Sequence, residues 1–315
     1  MSPLRLKRQR QKIMTKCLVT GGAGFIGSNL VDKLIKQGDE VIVFDNESAE
    51  CNEEFYWNAK SQNYNYDICD YEKTRPLYDG VDYVFHLAAE SRLQPTILNP
   101  IEAVTKNAVG TCTVLQCSKE AGVKKVIYSS TSSGYGLNSY PNDETQPDDC
   151  LNPYSVSKIA GEKLCTMYTN LYGLKTIVFR YFNVYGERSP TTGQYAPVIG
   201  IFQKQKENNQ SLTIVDDGLQ KRDFIHVYDV VNVNVIAATK EIDEKYYGQV
   251  YNVGSGENIS ILEIAKMISN DYVFITPRSG EAKTTLANID KIKNVFGWSP
   301  KTNIKNWVIK NNVSI

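Results

Sequence analysis

The stretch Thr20–Gly27, "TGGAGFIG", constrains this chain more than any other. It follows a short apolar run, "KCLVT" (Lys16–Thr20), and opens "FIGSNLVDKLIKQG", whose apolar residues recur at helical spacing up to Gly38. Strand, glycine turn and helix in that order put a helix N-terminus beside a tight bend. Gly22, Gly24 and Gly27 satisfy G-x-G-x-x-G, and Gly21, Gly24 and Gly27 satisfy G-x-x-G-x-x-G. Both spacings let the backbone approach a pyrophosphate, where free N–H groups and the helix macrodipole favour negative charge. Gly21, Gly24, Phe25, Ile26 and Gly27 are therefore cofactor-binding candidates. The next strand, "EVIVFD", ends at Asp45, followed by Asn46. A carboxylate at that strand end suits ribose hydroxyls and repels a 2′-phosphate, which predicts NAD in place of NADP.

The alternation continues. "YDICD" (Tyr66–Asp70) closes a third expected strand, where Asp67 and Ile68 are candidates for holding adenine, or Asp67 is a plain turn residue. "VDYVFHLAA" (Val81–Ala89) is a strand whose end brings Leu87, Ala88 and Ala89 to the same edge. A long helix is expected over Glu102–Gly122, a strand over Lys124–Ser130, a helix over Pro153–Gly173 and a strand over Lys175–Phe182, which carries Tyr181. Strands alternating with helices predict an α/β fold, a Rossmann-type doubly wound parallel sheet with right-handed crossovers. After Asn183 the rhythm changes to loops and shorter pieces, so residues 14–182 are expected to form a cofactor domain. Residues 183–315 then form a smaller mixed α/β substrate domain, with about 223–255, including "VYNVGS", returning to the first sheet.

Composition excludes several functions. The 315 residues carry no net charge, which gives no pull on a polyanion such as nucleic acid. His86 and His226 are the only histidines, too few for a multi-histidine metal site. Seven cysteines without a Cys-x-x-Cys pair argue against a disulfide framework or structural zinc and for a reducing, cytoplasmic setting. The segment "MSPLRLKRQRQKI" is basic and lacks the run of about 7–15 apolar residues of a signal peptide. It reads as a tail, or as an upstream start ahead of Met14. No stretch reaches the roughly 18 apolar residues of a membrane span.

The chemistry is expected in "NPYSVSK". Asn152 suits a helix cap and Pro153 a first turn, so Tyr154 and Lys158 fall one turn apart on one face. The bland reading is a half-buried tyrosine and a solvated lysine. The helix follows the fifth strand, however, whose C-terminal end lies by the nicotinamide in a doubly wound sheet. A phenol titrates near 10, and an adjacent ammonium and a cationic nicotinamide both favour phenolate. Thr131, in "SSTSSGYG" at the end of that strand, adds a hydroxyl for the reacting alcohol. Thr131, Tyr154 and Lys158 are the candidate catalytic set.

"TGGAGFIGSNL", "HLAA", "NPYSVSK", "RYFNVYG" and "RDFIHVYD" together resemble the extended short-chain dehydrogenase/reductase family of nucleotide-sugar enzymes, from about Thr15 to the C-terminus. The chain is most similar in character to the UDP-glucose 4-epimerases and their relatives acting on UDP-N-acetylhexosamines. The resemblance implies an NAD-dependent 4-epimerase of a UDP-hexose. Tyr154 takes the 4-hydroxyl proton as hydride leaves C4 for NAD, Lys158 also bonds the nicotinamide ribose, and the 4-keto sugar turns over before reduction. It also implies that Asn183 lies near the nucleotide phosphates, that Arg222 and Arg278 grip them, and that Glu281 holds the uridine ribose. The alternative for each arginine is a surface ion pair. Ser132, Ser133 and Ala196 complete the substrate candidates.

Departures from the family pattern narrow the reaction. The 4,6-dehydratases place Asp-Glu after the catalytic threonine, and the glucuronate decarboxylases a glutamate two residues after it. This chain has Ser132 and Ser133, and serine does not replace a carboxylate in proton transfer at neutral pH. "HLAAES" resembles the dehydratases, so dehydration or decarboxylation remains the alternative enzyme reading, and an NAD-binding sensor or scaffold the alternative outside catalysis. Thr285 falls where the family controls pocket width, which implies tolerance of N-acetylated sugars. A UDP-sugar is the expected ligand, with no nucleic-acid or membrane partner. A homodimer through helices Glu102–Gly122 and Pro153–Gly173 is expected from the resemblance.

Overall fold

The computed structural model describes residues 14–49, 52, 54–191, 196–276 and 282–312. Its strands are β1 (Lys16–Thr20), β2 (Glu40–Phe44), β3 (Gln62–Tyr64), β4 (Tyr83–His86), β5 (Lys125–Thr131), β6 (Thr176–Tyr181), β7 (Asn183–Tyr185), β8 (Leu212–Val215), β9 (Lys221–His226), β10 (Gln249–Val253), β11 (Asn258–Ser260) and β12 (Tyr272–Ile275). Seven of them form one sheet in the order β10-β6-β5-β4-β1-β2-β3, every pairing parallel. β5 and β6 are buried at every residue, which is why they read as continuous β-branched and aromatic runs without alternation.

Helices cover both faces. Phe25–Gln37 and Val227–Thr239 pack on one, over a core that includes Val19, Phe179 and Tyr251. Gly110–Glu120 and Pro153–Tyr172 cover the other, over Leu18, Val84, Tyr128 and Val178. The chain runs from β1 outward to β2 and β3, then crosses back to β4 on the other side of β1. That reversal opens a crevice beyond the strand C-termini, the place where open α/β sheets bind ligands. β10 joins the far edge beside β6, so a segment beyond residue 240 completes the sheet begun at Lys16. The remaining strands form a three-stranded sheet, β11-β9-β7, and a parallel pair, β8 with β12. A separate apolar cluster, including Phe202, Ile214, Ile264 and Val308, lies beneath them.

Local structure differs from the sequence expectation at two places. The third strand stops at Tyr64, and Asp67 and Ile68 lie in the loop beyond it, where Asp67 Oδ1 accepts from Cys69 N–H at 2.9 Å. The long helix expected over Glu102–Gly122 is interrupted by a π-helical turn over Thr105–Val109. Such wide turns have no sequence period of their own, and they frequently occur at functional sites.

Candidate active site

A cavity of about 570 Å³ occupies the crevice and extends under the second lobe. Its floor is the glycine turn. Gly21 N–H donates to Phe44 C=O at 2.7 Å, and Gly21 takes a φ of 68° that a side chain would strain. A Cβ on Gly27 would stand 2.0 Å from Gly21 O, and one on Gly21 would stand 2.7 Å from Ala88 N. The turn therefore packs backbone to backbone against the exit of β4. Helix Phe25–Gln37 has no side chain capping its first turn and no acidic residue there. Its leading N–H groups and positive dipole end are left for an anion. At the end of β2, Asp45 accepts from Ala23 N–H (3.1 Å) and Glu47 N–H (2.9 Å), while burial pushes its carboxyl above the usual range.

Phe25, Ile26, Asn46, Leu87, Ala88 and Ala89 line the same cavity. So do Asp67 and Ile68, but Asp67 is committed: Lys106 pairs with it, and Asn46 Nδ2 lies 3.4 Å away. Burial raises the Asp67 carboxyl, and Lys106 with the Cys69 N–H more than offsets that, leaving it below the ordinary value. Lys106, on the π-turn, escaped sequence reasoning because its partner is 39 positions away.

At the opposite end lie the proposed proton-transfer groups. Helix Pro153–Tyr172 starts where expected. Asn152 caps it in a box with Ser155, and Ser155 N–H donates to Asn152 Oδ1 at 2.9 Å. This brings Tyr154 near Thr131, whose hydroxyl accepts from Ser133 N–H at 3.1 Å and favours the phenolate. Burial raises the Tyr154 phenol, opposed by the neighbouring Thr131 hydroxyl and the charge of Arg92. The ring stays half-exposed toward the cavity, so solvent there moderates the effect.

Lys158 behaves otherwise than its sequence position suggests. It is 2% exposed, with its ammonium 4.3 Å over the Tyr128 ring, and no carboxylate pairs with it among the described residues. Burial pulls it down to about 7. Beside the Lys158 ammonium expected from the sequence, Arg92 is a second cation whose charge favours the Tyr154 phenolate. Only Arg92's place in the loop after "HLAA" hinted at this.

Two buried polar sets hold this end in place. Asn107, on the π-turn, accepts from Glu90 N–H at 2.8 Å and donates to Glu90 C=O and Ser157 Oγ, both at 2.9 Å. His86, held neutral by burial, bridges Thr20 and Thr111 at 2.7 and 2.9 Å. On the outer side, Arg180 binds Glu162 through Nε (2.8 Å) and Nη2 (2.7 Å), and Asp148 through Nη2 (2.6 Å). Ser130 Oγ donates to Glu162 at 2.5 Å.

Of the substrate candidates, Ser132, Ser133, Asn183, Ala196 and Arg222 line the cavity, as does Tyr181 of the cofactor set. The Tyr181 hydroxyl already accepts from Ser129 (3.1 Å) and Asn234 (2.7 Å). Asn183 donates to Asp223 C=O at 2.8 Å, and Arg222 to the carbonyls of Lys221 and Lys283, both at 3.1 Å. Arg278 and Glu281 lie outside the described residues. Thr285 is not among the cavity residues; its hydroxyl accepts from Asp223 N–H at 3.2 Å and faces Asn183 Nδ2 at 3.4 Å. Its N–H donates to Lys221 C=O at 3.1 Å, and its hydroxyl lies beside the cavity residue Asn183. No cluster of three metal-ligating side chains occurs among the described residues.

Residues 17–254 match the sequence profile of the NAD dependent epimerase/dehydratase family. A UDP-glucose 4-epimerase of Mycolicibacterium smegmatis is 33% identical over 307 residues, covering 94% of this chain and 96% of that one. A UDP-N-acetyl-alpha-D-glucosaminuronate decarboxylase of Bacillus cytotoxicus is 37% identical over 264 residues, 80% of this chain and 79% of that one. The crystal structure of a UDP-glucose 4-epimerase with UDP-glucose from Thermotoga maritima superposes with a TM-score of 0.87 at 33% identity, covering 94% of this chain and 96% of that one.

Proposed function

The chain belongs to the NAD-dependent epimerase/dehydratase family, and from that premise we propose that it is a 4-epimerase of a UDP-hexose. One observation carries the choice of reaction. Thr131, Tyr154 and Lys158 share one cavity, and the two positions after Thr131 are serines. Epimerisation at C4 needs an alcohol oxidised and a ketone reduced in one site. Elimination or decarboxylation in this family draws on carboxylates that those positions lack. The decarboxylase relative keeps that second reading in view, and product analysis separates the two.

The glycine turn fits the dinucleotide. A Cβ on Gly24 would meet nothing closer than 3.5 Å, so the turn is open on its cavity side while Gly21 and Gly27 allow no added atom. Gly21, Gly24, Phe25, Ile26 and Gly27 hold the pyrophosphate, Asp45 and Asn46 the adenosine ribose, Asp67 and Ile68 the adenine edge. Leu87, Ala88, Ala89 and Tyr181 border the nicotinamide end. When bound, NAD supplies a two-electron acceptor that is regenerated within each turnover.

The protein's own part is proton management. Thr131 orients the sugar 4-hydroxyl, and Tyr154 Oη receives its proton and later returns it. Lys158, drawn toward neutrality by burial in the free protein, regains its proton where an anion or ribose hydroxyl faces it. Asn183 and Arg222 hold the diphosphate, and Ser132, Ser133 and Ala196 flank the sugar. Residues 14–182 with the return of 223–255 make the cofactor lobe, and the rest of 183–315 the sugar lobe.

Leu98, Ile101, Val156 and Leu171 are exposed apolar residues on the helices on either side of the cavity end. A second copy covering them gives a homodimer, testable by light scattering. No helix among the described residues is long and apolar enough to cross a membrane, and we assign the protein to the cytoplasm. The deciding experiment incubates the protein and NAD with a panel of UDP-hexoses and follows products by NMR. A 4-epimer of unchanged mass supports the reading; loss of water or carbon dioxide replaces it with a lyase.

A further inference from the structure

We propose that Tyr128 is a positioning residue of the reacting end: its ring is the platform on which the Lys158 ammonium rests at the cavity wall. The contact itself stands apart from the reaction; its catalytic consequence deepens the epimerase reading and rests on it.

Tyr128 stands in the middle of β5, fully buried, and is not among the cavity residues, whereas Lys158 and Tyr154 are. It meets the cavity only through Lys158. The ammonium lies 4.3 Å from the centre of the ring, and among the described residues no carboxylate pairs with it. An aromatic face attracts such a charge most strongly where water is excluded. The ring is held from several sides. Its hydroxyl donates to Lys158 C=O at 3.1 Å, so the residue that carries the ammonium also anchors the ring beneath it. The His86 ring packs against it, 5.4 Å centre to centre, and His86 is itself held by Thr20 and Thr111. Gly161 leaves the space that the ring occupies: a Cβ there would stand 2.2 Å from Tyr128 Oη and 2.6 Å from Cζ. A larger residue at 161 would push the ring from under the lysine. The rival role for Tyr128 is packing, since it also belongs to the apolar cluster of Val126, Cys165 and Val178. Packing needs neither a π face nor a charge above it.

A double-mutant cycle on the full-length protein tests this, with Tyr128→Leu and Lys158→Met unfolded in urea at about pH 6 and about pH 9. Lys158 is charged at the first and largely neutral at the second, because burial pulls it down to about 7. Burial keeps His86, Cys165, Tyr154 and Tyr128 around it neutral across that range, and Glu162 is bound to Arg180. The two substitutions should couple about tenfold in the unfolding equilibrium constant at the lower pH, and about twofold or less at the higher. Tyr128→Phe, which keeps the ring, should couple about twofold or less at either pH. Equal coupling at both pH values, or as much from Tyr128→Phe as from Tyr128→Leu, overturns the inference. In the wild type, the Lys158 ε-CH2 protons, assigned by their loss in Lys158→Met, should be displaced upfield by the ring. Protons at the ordinary lysine position overturn the inference even where Tyr128→Leu does not fold. In NAD-loaded turnover, Tyr128→Leu should lower kcat about tenfold with KM for the UDP-hexose unchanged, and Tyr128→Phe should restore most of it. An unchanged kcat, whatever the KM, overturns the positioning role. A wild type that makes no 4-epimer sinks the reaction instead, and the urea cycle still judges the contact.

Discussion

Two cations are buried beside helix Pro153–Tyr172, and they have opposite fates. Arg180 is 3% exposed and Lys158 2%. Arg180 is held by Glu162, Asp148 and the face of the Tyr135 ring, so its guanidinium is pushed above its ordinary range. Lys158 has a ring beneath it and Glu162 only at a distance, so burial dominates and draws it down to about 7. A charge held by two carboxylates is locked in place. An unpaired one is left poised to respond to whatever enters the cavity. The same helix thus separates a side that holds the fold from a side that is free to do chemistry, and substitutions should sort accordingly.

The sharpest break should come on the chemical side. Tyr154→Phe should lower epimerisation by about 10²–10⁴-fold while leaving unfolding free energy within about 1 kcal/mol. Turnover within tenfold of the wild type would remove Tyr154 from the proton path. On the structural side, Glu162→Ala leaves Arg180 without its main partner and should cost about 3–5 kcal/mol in urea denaturation. If the midpoint hardly moves, the cage is not what holds this end.

Lys158→Met should do the reverse and stabilise the free protein by a few kcal/mol at pH 7, since one pKa unit is about 1.4 kcal/mol. The sign follows from the depressed value. The unfolded chain keeps the lysine proton up to 10.5, the folded one to about 7, so burial of the charge is fully penalised below pH 7. The advantage of methionine should fade as pH rises from 7 toward 10.5, measured by urea unfolding at several pH values. A gain that persists at high pH would point to better packing instead. The smallest effect belongs to Ser130→Ala, which removes one bond to Glu162 and should cost about 1–2 kcal/mol without changing the Tyr154 phenol titration.

The fold was largely legible in the sequence because its signals are local. The glycine turn, the apolar runs of β1, β2 and β5, and the cap at Asn152 each sit within a few consecutive residues. What stayed hidden depends on distant partners. Arg180 meets Asp148 across 32 positions, Lys106 meets Asp67 across 39, and Asn107 meets Ser157 across 50. None of these leaves a periodic trace. The catalytic candidates could be named from "NPYSVSK", but not their electrostatics, because the Lys158 value depends on which carboxylates the fold brings near. Thr285 shows the limit in another form: motif position names the residue, but only the fold shows its hydroxyl accepting from Asp223 N–H and facing Asn183.

β10 is made after most of the sugar lobe's strands have been made, yet it pairs with β6 at the rim of the large sheet. On the ribosome, β6 must wait as a bare edge of unpaired amides until residues 249–253 emerge, a situation that invites wrong partners. Neither half is an independent cistron in miniature: a nascent chain stopped at Phe182 lacks both this strand and helix Val227–Thr239, which roofs one face. Splitting the gene there should yield two insoluble fragments, whereas co-expression offers the missing edge in trans.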